Sequence, residues 1–293
     1  MGRIADAITR ANEENRAALV IYLCAGDPSL DVTEELVVAA AEAGADIIEL
    51  GMPFSDPTAD GVAIQRASKR ALDHGATLRG VLETVARVRA RTEVPILLFG
   101  YYNPLLAYGE KLVVRDAKSV GADGFLVVDL PPEEASVLRA AIVDADMDFV
   151  PLVAPTSTDE RVQLAADAAT SFIYYVSMTG VTGAATHDLK EASVRAKQLQ
   201  SKVGRPVALG FGVKTGADVS ACAPNVSAIV VGSAIVTTIE QASDEAQAIK
   251  SVRQLVSSFD RAPRAKRILR YRGRSECLPA TAAQAIRSRS SSS

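Results

Sequence analysis

The feature that most constrains this chain is a repeat. Short, continuously apolar runs alternate with longer amphipathic stretches along most of its length. The first run, 18–25, is β-branched and apolar, and it closes at Gly26, Asp27 and Pro28. Further strand candidates fall at about 45–50, 95–101, 124–130, 148–154, 171–177, 206–211 and 228–232. Helical patterns lie between them, at about 30–43, 61–74, 77–91, 104–120, 132–145, 159–168, 189–202 and 215–221, with a last one near 243–258. Runs without polar alternation suit strands buried on both faces. Strand–helix alternation implies parallel strands joined by right-handed crossovers. Eight such units over roughly 250 residues predict a (β/α)8 barrel, a TIM barrel in a single domain. An open doubly wound sheet would place a GxGxxG fingerprint after its first strand, and none stands there. A helix over 3–16, with Ile4, Ala7, Ile8 and Ala11 on one face, precedes the repeat as an extra N-terminal element.

The repeat sets the boundaries. Residues 1–260 are expected to form the barrel and 261–293 a separate extension. That tail is rich in Arg and Lys, carries Glu276 as its one acid, and ends in a Ser/Arg run. It reads as a disordered, basic, solvated C-terminal extension; a partner-binding or nucleic-acid-binding tail is the alternative. The net charge of -3 gives no reason to expect nucleic acid or a membrane surface as the main partner. Cys24, Cys222 and Cys277 are odd in number and far apart, with neither metal nor disulfide spacing. This pattern suits a reducing compartment. With no apolar signal core at the start and no run of about 18 apolar residues, a cytoplasmic protein is expected.

In a barrel of this kind, chemistry collects where strands end. The second strand supplies the densest such segment, Glu49 to Gln65. An apolar run ends at Glu49, Pro53 and Pro57 stiffen the loop beyond it, and Asp60 stands just before a helical pattern. A carboxylate at the end of an apolar run is desolvated, which raises its pKa and suits proton transfer. The plainer reading of Glu49 is an exposed or arginine-paired acid. Asp60 reads equally as a helix N-cap. Asp27, Tyr101, Tyr102, Asn103, Asp129, Tyr174 and Tyr175 come from other strand ends, and Asp129 also reads as a cap for the helix at 132–145. Gly210, Gly212, Gly232 and Ser233 lie at the ends of the last two strands. Glycine there lets backbone N–H groups approach an anion, and a short helix starting at Ser233 would add its positive end. Gly183 would extend that cradle; tight turns are the alternative. His74 and His187 lie away from the strand ends. No metal cluster is visible, and no lysine is placed for a Schiff base.

Six segments in register resemble the tryptophan synthase alpha chain family. They are 25–28, 49–65, 101–104, 129–131, 180–183 and 210–213, spread over about residues 1–260. The resemblance implies a TIM barrel that cleaves indole-3-glycerol phosphate to indole and glyceraldehyde 3-phosphate. Glu49 would be the acid/base and Asp60 the acceptor of the indole N–H. Tyr22, Tyr101, Asp129, Tyr174, Thr182 and Phe211 would line the pocket, Thr182 on a mobile lid. Gly183, Gly212, Gly232 and Ser233 would hold the phosphate. No metal and no cofactor is implied in this chain. Its partner would be a beta chain carrying pyridoxal phosphate, in an α2β2 heterotetramer, with indole passing to the beta chain for condensation with L-serine. The 49–65 loop and the segment at Asn103 and Pro104 would face that partner. The lid segment around Met178, Thr179 and 184–187 departs from the pattern, as does the tail. The rivals are another phosphate-binding biosynthetic barrel, such as an isomerase or indoleglycerol-phosphate synthase, and a barrel retained only as a binding subunit. The first would need different acids or a lysine at strand ends; intact Glu49 and Asp60 oppose the second.

Overall fold

The computed structural model describes residues 2–176, 187–210 and 212–259. The strands are β1 (Ala18–Cys24), β2 (Ile47–Gly51), β3 (Ile96–Gly100), β4 (Gly124–Val127), β5 (Asp148–Phe149), β6 (Leu152–Val153), β7 (Ile173–Val176), β8 (Val207–Gly210) and β9 (Ala228–Val231). All neighbouring pairs are parallel, in the order β5-β4-β3-β2-β1-β9-β8-β7-β6. The sheet closes because β5 and β6 are two halves of one stave. The Val150 N–H donates to the Phe125 carbonyl on one side, and the Pro151 carbonyl accepts from Tyr174 on the other. Pro151 has no N–H to continue the ladder, which is why the stave reads as two pieces. The result is the predicted eight-stave barrel.

The outer helices are α2 (Leu30–Glu42), α3 (Val62–Asp73), α4 (Leu78–Arg89), α5 (Tyr102–Tyr108), α6 (Glu110–Ser119), α7 (Ser136–Asp144), α8 (Asp159–Ala168), α9 (His187–Val203), α10 (Gly216–Cys222), α11 (Ser233–Glu240) and α12 (Glu245–Ser257). The expected helix at 104–120 is in fact α5 and α6, broken at Gly109, whose φ of 96° suits glycine. The helix expected from 132 begins at Ser136, after a turn closed by hydrogen bonds from Glu134 and Ala135 back to the two prolines. The proposed 261–293 extension lies outside the described residues.

Strand alternation sorts the apolar side chains into two bodies. Leu19, Ile21, Ile48, Leu50, Leu98, Phe125, Leu209 and Ile229 point out and pack under the helix ring. Val20, Tyr22, Ile47, Leu97, Phe99, Leu126, Val150, Phe172, Tyr174, Ala208 and Val230 point in and fill the barrel. The N-terminal helix α1 (Arg3–Glu13) joins the inner body through Ile4, Ala7, Ile8 and Ala11, all buried. It stoppers the end of the barrel where the strands begin, so the other end is left for function. Arg16 and the backbone N–H of Leu19 both bond Asp46, fixing the start of β1 against the start of β2.

Because α1 fills the barrel floor, truncating it leaves a cavity. Ile8→Ala is expected to cost about 2–5 kcal/mol of folding stability. A urea unfolding curve checks this; an unchanged midpoint would mean that α1 is not part of the core.

Candidate active site

Glu49 is the middle residue of β2 and points into the barrel between Tyr22 on β1 and Leu97 on β3, its register partners. It is 1 % exposed. Its Oε1 has no hydrogen-bond partner among the described residues. A carboxylate held so, without arginine or N–H donors, is costly as an anion. Burial first, and the charge of Asp60 second, push its pKa up to about 8. Glu49 is therefore not exposed, and no arginine pairs with it among the described residues. The apolar run suggests a strand-end position; Glu49 lies two residues inside.

Asp60 reaches the same place by another route. After β2 the chain turns through Pro53 and Pro57, with the Asp60 N–H donating to the Pro57 carbonyl. Gln65 reaches back to the Asp60 carbonyl at 2.8 Å. The N-cap of α3 is Gly61, with no side-chain cap, so Asp60 is not held as a cap. The Tyr101 hydroxyl accepts from the Ala59 N–H at 3.0 Å and stands near enough to the Asp60 carboxylate to favour its ionised form. Burial raises the Asp60 pKa to about 6, and the Tyr101 phenol opposes the rise. Phe54 in turn leans on the Tyr101 ring, centroids 5.2 Å apart. Tyr101, at the end of β3, thus fixes a loop that leaves from β2.

The other tyrosines wall the space around the two acids. Tyr22 meets Phe99 edge-on at 5.4 Å. The burial-raised pKa values of Tyr22 and Tyr174 are pushed further by the charges of Glu49 and Asp60, which places both phenols beside the acids. Two strand glycines make room for them. A Cβ on Gly51 would strike the Tyr22 ring, and one on Gly210 the Tyr174 ring. The sequence motif groups Gly210 with an anion-binding loop; its role in the structure is to seat Tyr174. Gly51 is a functional position that sequence reasoning misses, although a glycine inside an apolar strand signals close approach.

Gly232 directly follows β9, and α11 begins at Ser233, as expected. Its first-turn N–H groups and positive end therefore lie at the barrel mouth, the geometry of an anion site. Gly232 sits over Tyr22 and Ile64. Gly212, with φ of 81°, follows β8 on the same side. Thr182, Gly183 and Phe211 lie outside the described residues, as does the lid expected at 180–183. Two other strand-end acids have partners of their own. Asp129 is exposed, and it accepts the Tyr102 N–H at 2.7 Å. It caps α5 rather than the helix after Pro132, because the β3 and β4 ends are neighbours in the barrel. Asp27 is gripped by Arg70 through two bonds of 2.9 and 2.7 Å and faces that guanidinium. Among the described residues no group of His, Cys, Asp and Glu could hold a metal ion, and no helix is long and apolar enough to cross a membrane.

Comparison with known proteins agrees with this geometry. A family model described as tryptophan synthase alpha chain matches residues 8–264. Tryptophan synthase alpha chain of Geobacter sulfurreducens is 45 % identical over 241 residues, 82 % of this chain and 91 % of the relative. That of Burkholderia thailandensis is 44 % identical over 246 residues, 84 % and 91 % of the two chains. Among solved structures, tryptophan synthase alpha chain from Legionella pneumophila superposes with a TM-score of 0.81 at 33 % identity, covering 88 % of this chain and 96 % of that one. A Mycobacterium tuberculosis tryptophan synthase structure gives 0.79 at 33 % identity, covering 88 % and 96 %.

The raised pKa of Glu49 ties folding to pH. Between its ordinary value of 4.5 and about 8, the native state keeps a proton that the unfolded chain has released. Stability therefore falls as pH rises through that window, by about 1.4 kcal/mol per unit, and levels off above it. Glu49→Gln removes the dependence. From pH 5 to pH 8.5 the stability of the variant relative to wild type is expected to improve by a few kcal/mol, read from urea curves at both pH values. A difference that stays flat would mean that Glu49 is not buried as described.

Proposed function

The chain belongs to the tryptophan synthase alpha chain family, and we propose that Glu49 and Asp60 divide its chemistry according to their different environments. The activity is retro-aldol cleavage of indole-3-glycerol phosphate to indole and D-glyceraldehyde 3-phosphate. That bond breaks when the indole ring carbon bearing the side chain gains a proton and the adjacent hydroxyl loses one. A buried carboxyl with a pKa of about 8 holds its proton at neutral pH. Glu49 gives that proton to the ring carbon, and positive charge spreads onto the ring nitrogen. Asp60, with a pKa of about 6, is ionised at the same pH. It accepts the indole N–H and stabilises the cation. The Glu49 anion, now unsolvated and strongly basic, takes the hydroxyl proton as the carbon–carbon bond breaks. Indole leaves with the electron pair, the aldehyde forms, and Glu49 is returned to its starting state. The protons balance within the substrate and one carboxyl, so the step calls for no cofactor in this chain.

One observation carries this reading: Glu49 is wholly buried while Asp60 is only half-buried beside Tyr101, so their surroundings push the two titrations apart, the arrangement that separates acid from base roles. Tyr22, Tyr174 and Phe99 supply an apolar slot for the indole ring. Gly212, Gly232 and Ser233, with the α11 N-terminus, would receive the phosphate. Residues 180–183, with Thr182 and Gly183, would close over it, and Phe211 would complete the indole slot.

The partner is a tryptophan synthase beta chain. In the α2β2 assembly the beta chain would carry pyridoxal phosphate and receive indole for condensation with L-serine. Two observations favour the docking face read from sequence. Val62, beside the Asp60 loop, is 66 % exposed, and Leu106 on α5 is 53 % exposed. Large apolar side chains left in water on the two expected segments suit a covering partner. Phe54 leaning on Tyr101 links that face to the residue that holds Asp60.

Indole release from indole-3-glycerol phosphate, with and without a beta chain, tests the proposal. Glu49→Gln is expected to lose about three orders of magnitude in kcat, roughly 4 kcal/mol of barrier; a variant within tenfold of wild type would sink the role of Glu49. Addition of a beta chain is expected to raise the wild-type rate, and no response would count against the assembly.

The pH profile is a separate check. Asp60 must be ionised and Glu49 protonated, so kcat/KM should rise with a midpoint near 6 and fall with a midpoint near 8. A profile still rising at pH 9 would reverse the assignment of acid and acceptor.

A further inference from the structure

We propose that an ion-pair clamp between α3 and α11, formed by Arg66, Arg70 and Glu240 and anchored on Asp27, sets the distance between the two ends of the substrate site. The clamp is a positioning device, and it rests on the functional reading above. Arg66 and Arg70 occupy successive turns of α3, so both ride on the helix that carries the Asp60 loop. Glu240 is the last residue of α11, the helix whose first turn begins at Ser233. Glu240 Oε1 accepts from Arg66 Nε and from Arg70 at 2.7 Å each, and Oε2 accepts from Arg66 at 2.7 Å. Arg70 uses its remaining edge on both oxygens of Asp27, at the end of β1.

Asp27 is 2 % exposed, so the Asp27–Arg70 end is a desolvated attachment, while the Arg66–Glu240 arm is partly solvated. Two guanidinium groups meet two carboxylates, and the cluster is neutral. Planar bidentate pairing fixes direction as well as distance, which a lysine in either place would not do. The apolar contacts run the same way. Ile64 of α3 lies against Gly232, and Ala71 lies under Gly26, beside Asp27. No residue of the cluster faces the reacting atoms. What they hold constant is the placement of Asp60, which receives the indole N–H, relative to the α11 N-terminus, which receives the phosphate. A substrate gripped at both ends reacts only if those grips are correctly spaced.

The spacing role separates from a structural one by kinetics. Glu240→Gln leaves the Asp27–Arg70 pair in place and is expected to fold. In the complex with a beta chain, its kcat for indole-3-glycerol phosphate should fall about tenfold. The inhibition constant of glycerol 3-phosphate, which occupies only the phosphate end, should stay within twofold. Arg66→Gln, on the exposed arm, should show the same pattern more weakly and serves if Glu240→Gln proves unstable. A kcat per folded enzyme within twofold of wild type would overturn the proposal and leave the cluster as a stabiliser only. Parallel weakening of glycerol 3-phosphate would also overturn it, since the cradle itself would then be damaged. A wild-type enzyme that does not cleave the substrate would instead overturn the functional reading on which the clamp depends.

Discussion

The structure turns on a carboxyl group placed where an ion is costly. Glu49 sits in the inner body of the barrel, with tyrosine and leucine to either side and no partner for Oε1 among the described residues. A polar group so placed lowers stability by an amount comparable to the loss of a hydrogen bond or more. The fold tolerates this because the rest of the barrel is tightly closed. Eight staves pair on both edges, the floor is stoppered by α1, and the outer helices cover the sheet. A less complete barrel would let water reach Glu49. Its pKa would then return toward that of an ordinary acid, and its proton would be lost at neutral pH. Closure of the sheet and reactivity of the acid are therefore one property.

Asp60 shows the complementary solution. It is carried by a loop, so its position depends on other residues. The sequence invests heavily in them: two prolines, a back-reaching Gln65, and the Tyr101 hydroxyl, which takes the Ala59 N–H beside the carboxylate. The Ala59 bond aims the loop, and the nearby phenol restrains the rise in the Asp60 pKa, which stays below that of Glu49. Tyr101 belongs to the end of β3, and Phe54 leans on it from the loop, so the Asp60 loop is braced from a neighbouring stave. Under the proposed division of roles, the acid that would stabilise the cation is on a loop, and the acid that would move the proton is on a strand.

Much of this is legible in the sequence, for reasons that can be named. Alternation of buried strands with amphipathic helices is enforced by the packing itself, so the barrel, the N-terminal helix and the start of α11 can be read directly, while the placement of that helix in the barrel floor cannot. Glu49 stands out because an acid ending an apolar run has few structural uses. Relations between neighbouring staves are another matter. Asp129 caps α5 because β4 lies beside β3, a fact of register that no local pattern contains. The break in the fifth stave at Pro151 is local chemistry, yet the pairing of each half to a different neighbour is not. Gly210 stands in a motif that suggests an anion loop, and only the inward placement of Tyr174 shows that the missing side chain makes space for a ring. Gly109 splits one amphipathic pattern into two helices whose faces nearly coincide, so periodicity alone runs through it.

Asp27 and Glu49 make the selectivity of the site plain. Both are buried carboxyls carried by adjacent staves, and both stand out in the sequence as strand-end acids. Asp27 is 2 % exposed and Glu49 1 %, so burial does not distinguish them. The difference is the guanidinium of Arg70, which gives Asp27 two bonds and a compensating charge. A buried acid can be made tolerable by a fixed cation or by its own proton. The first route yields a strut, since charge and geometry are both committed. The second yields a reagent, because the neutralising group is the one that can leave. With no cation beside it among the described residues, Glu49 takes the second route, and the barrel places the first one stave away, where Arg70 ties Asp27 to α3 and α11.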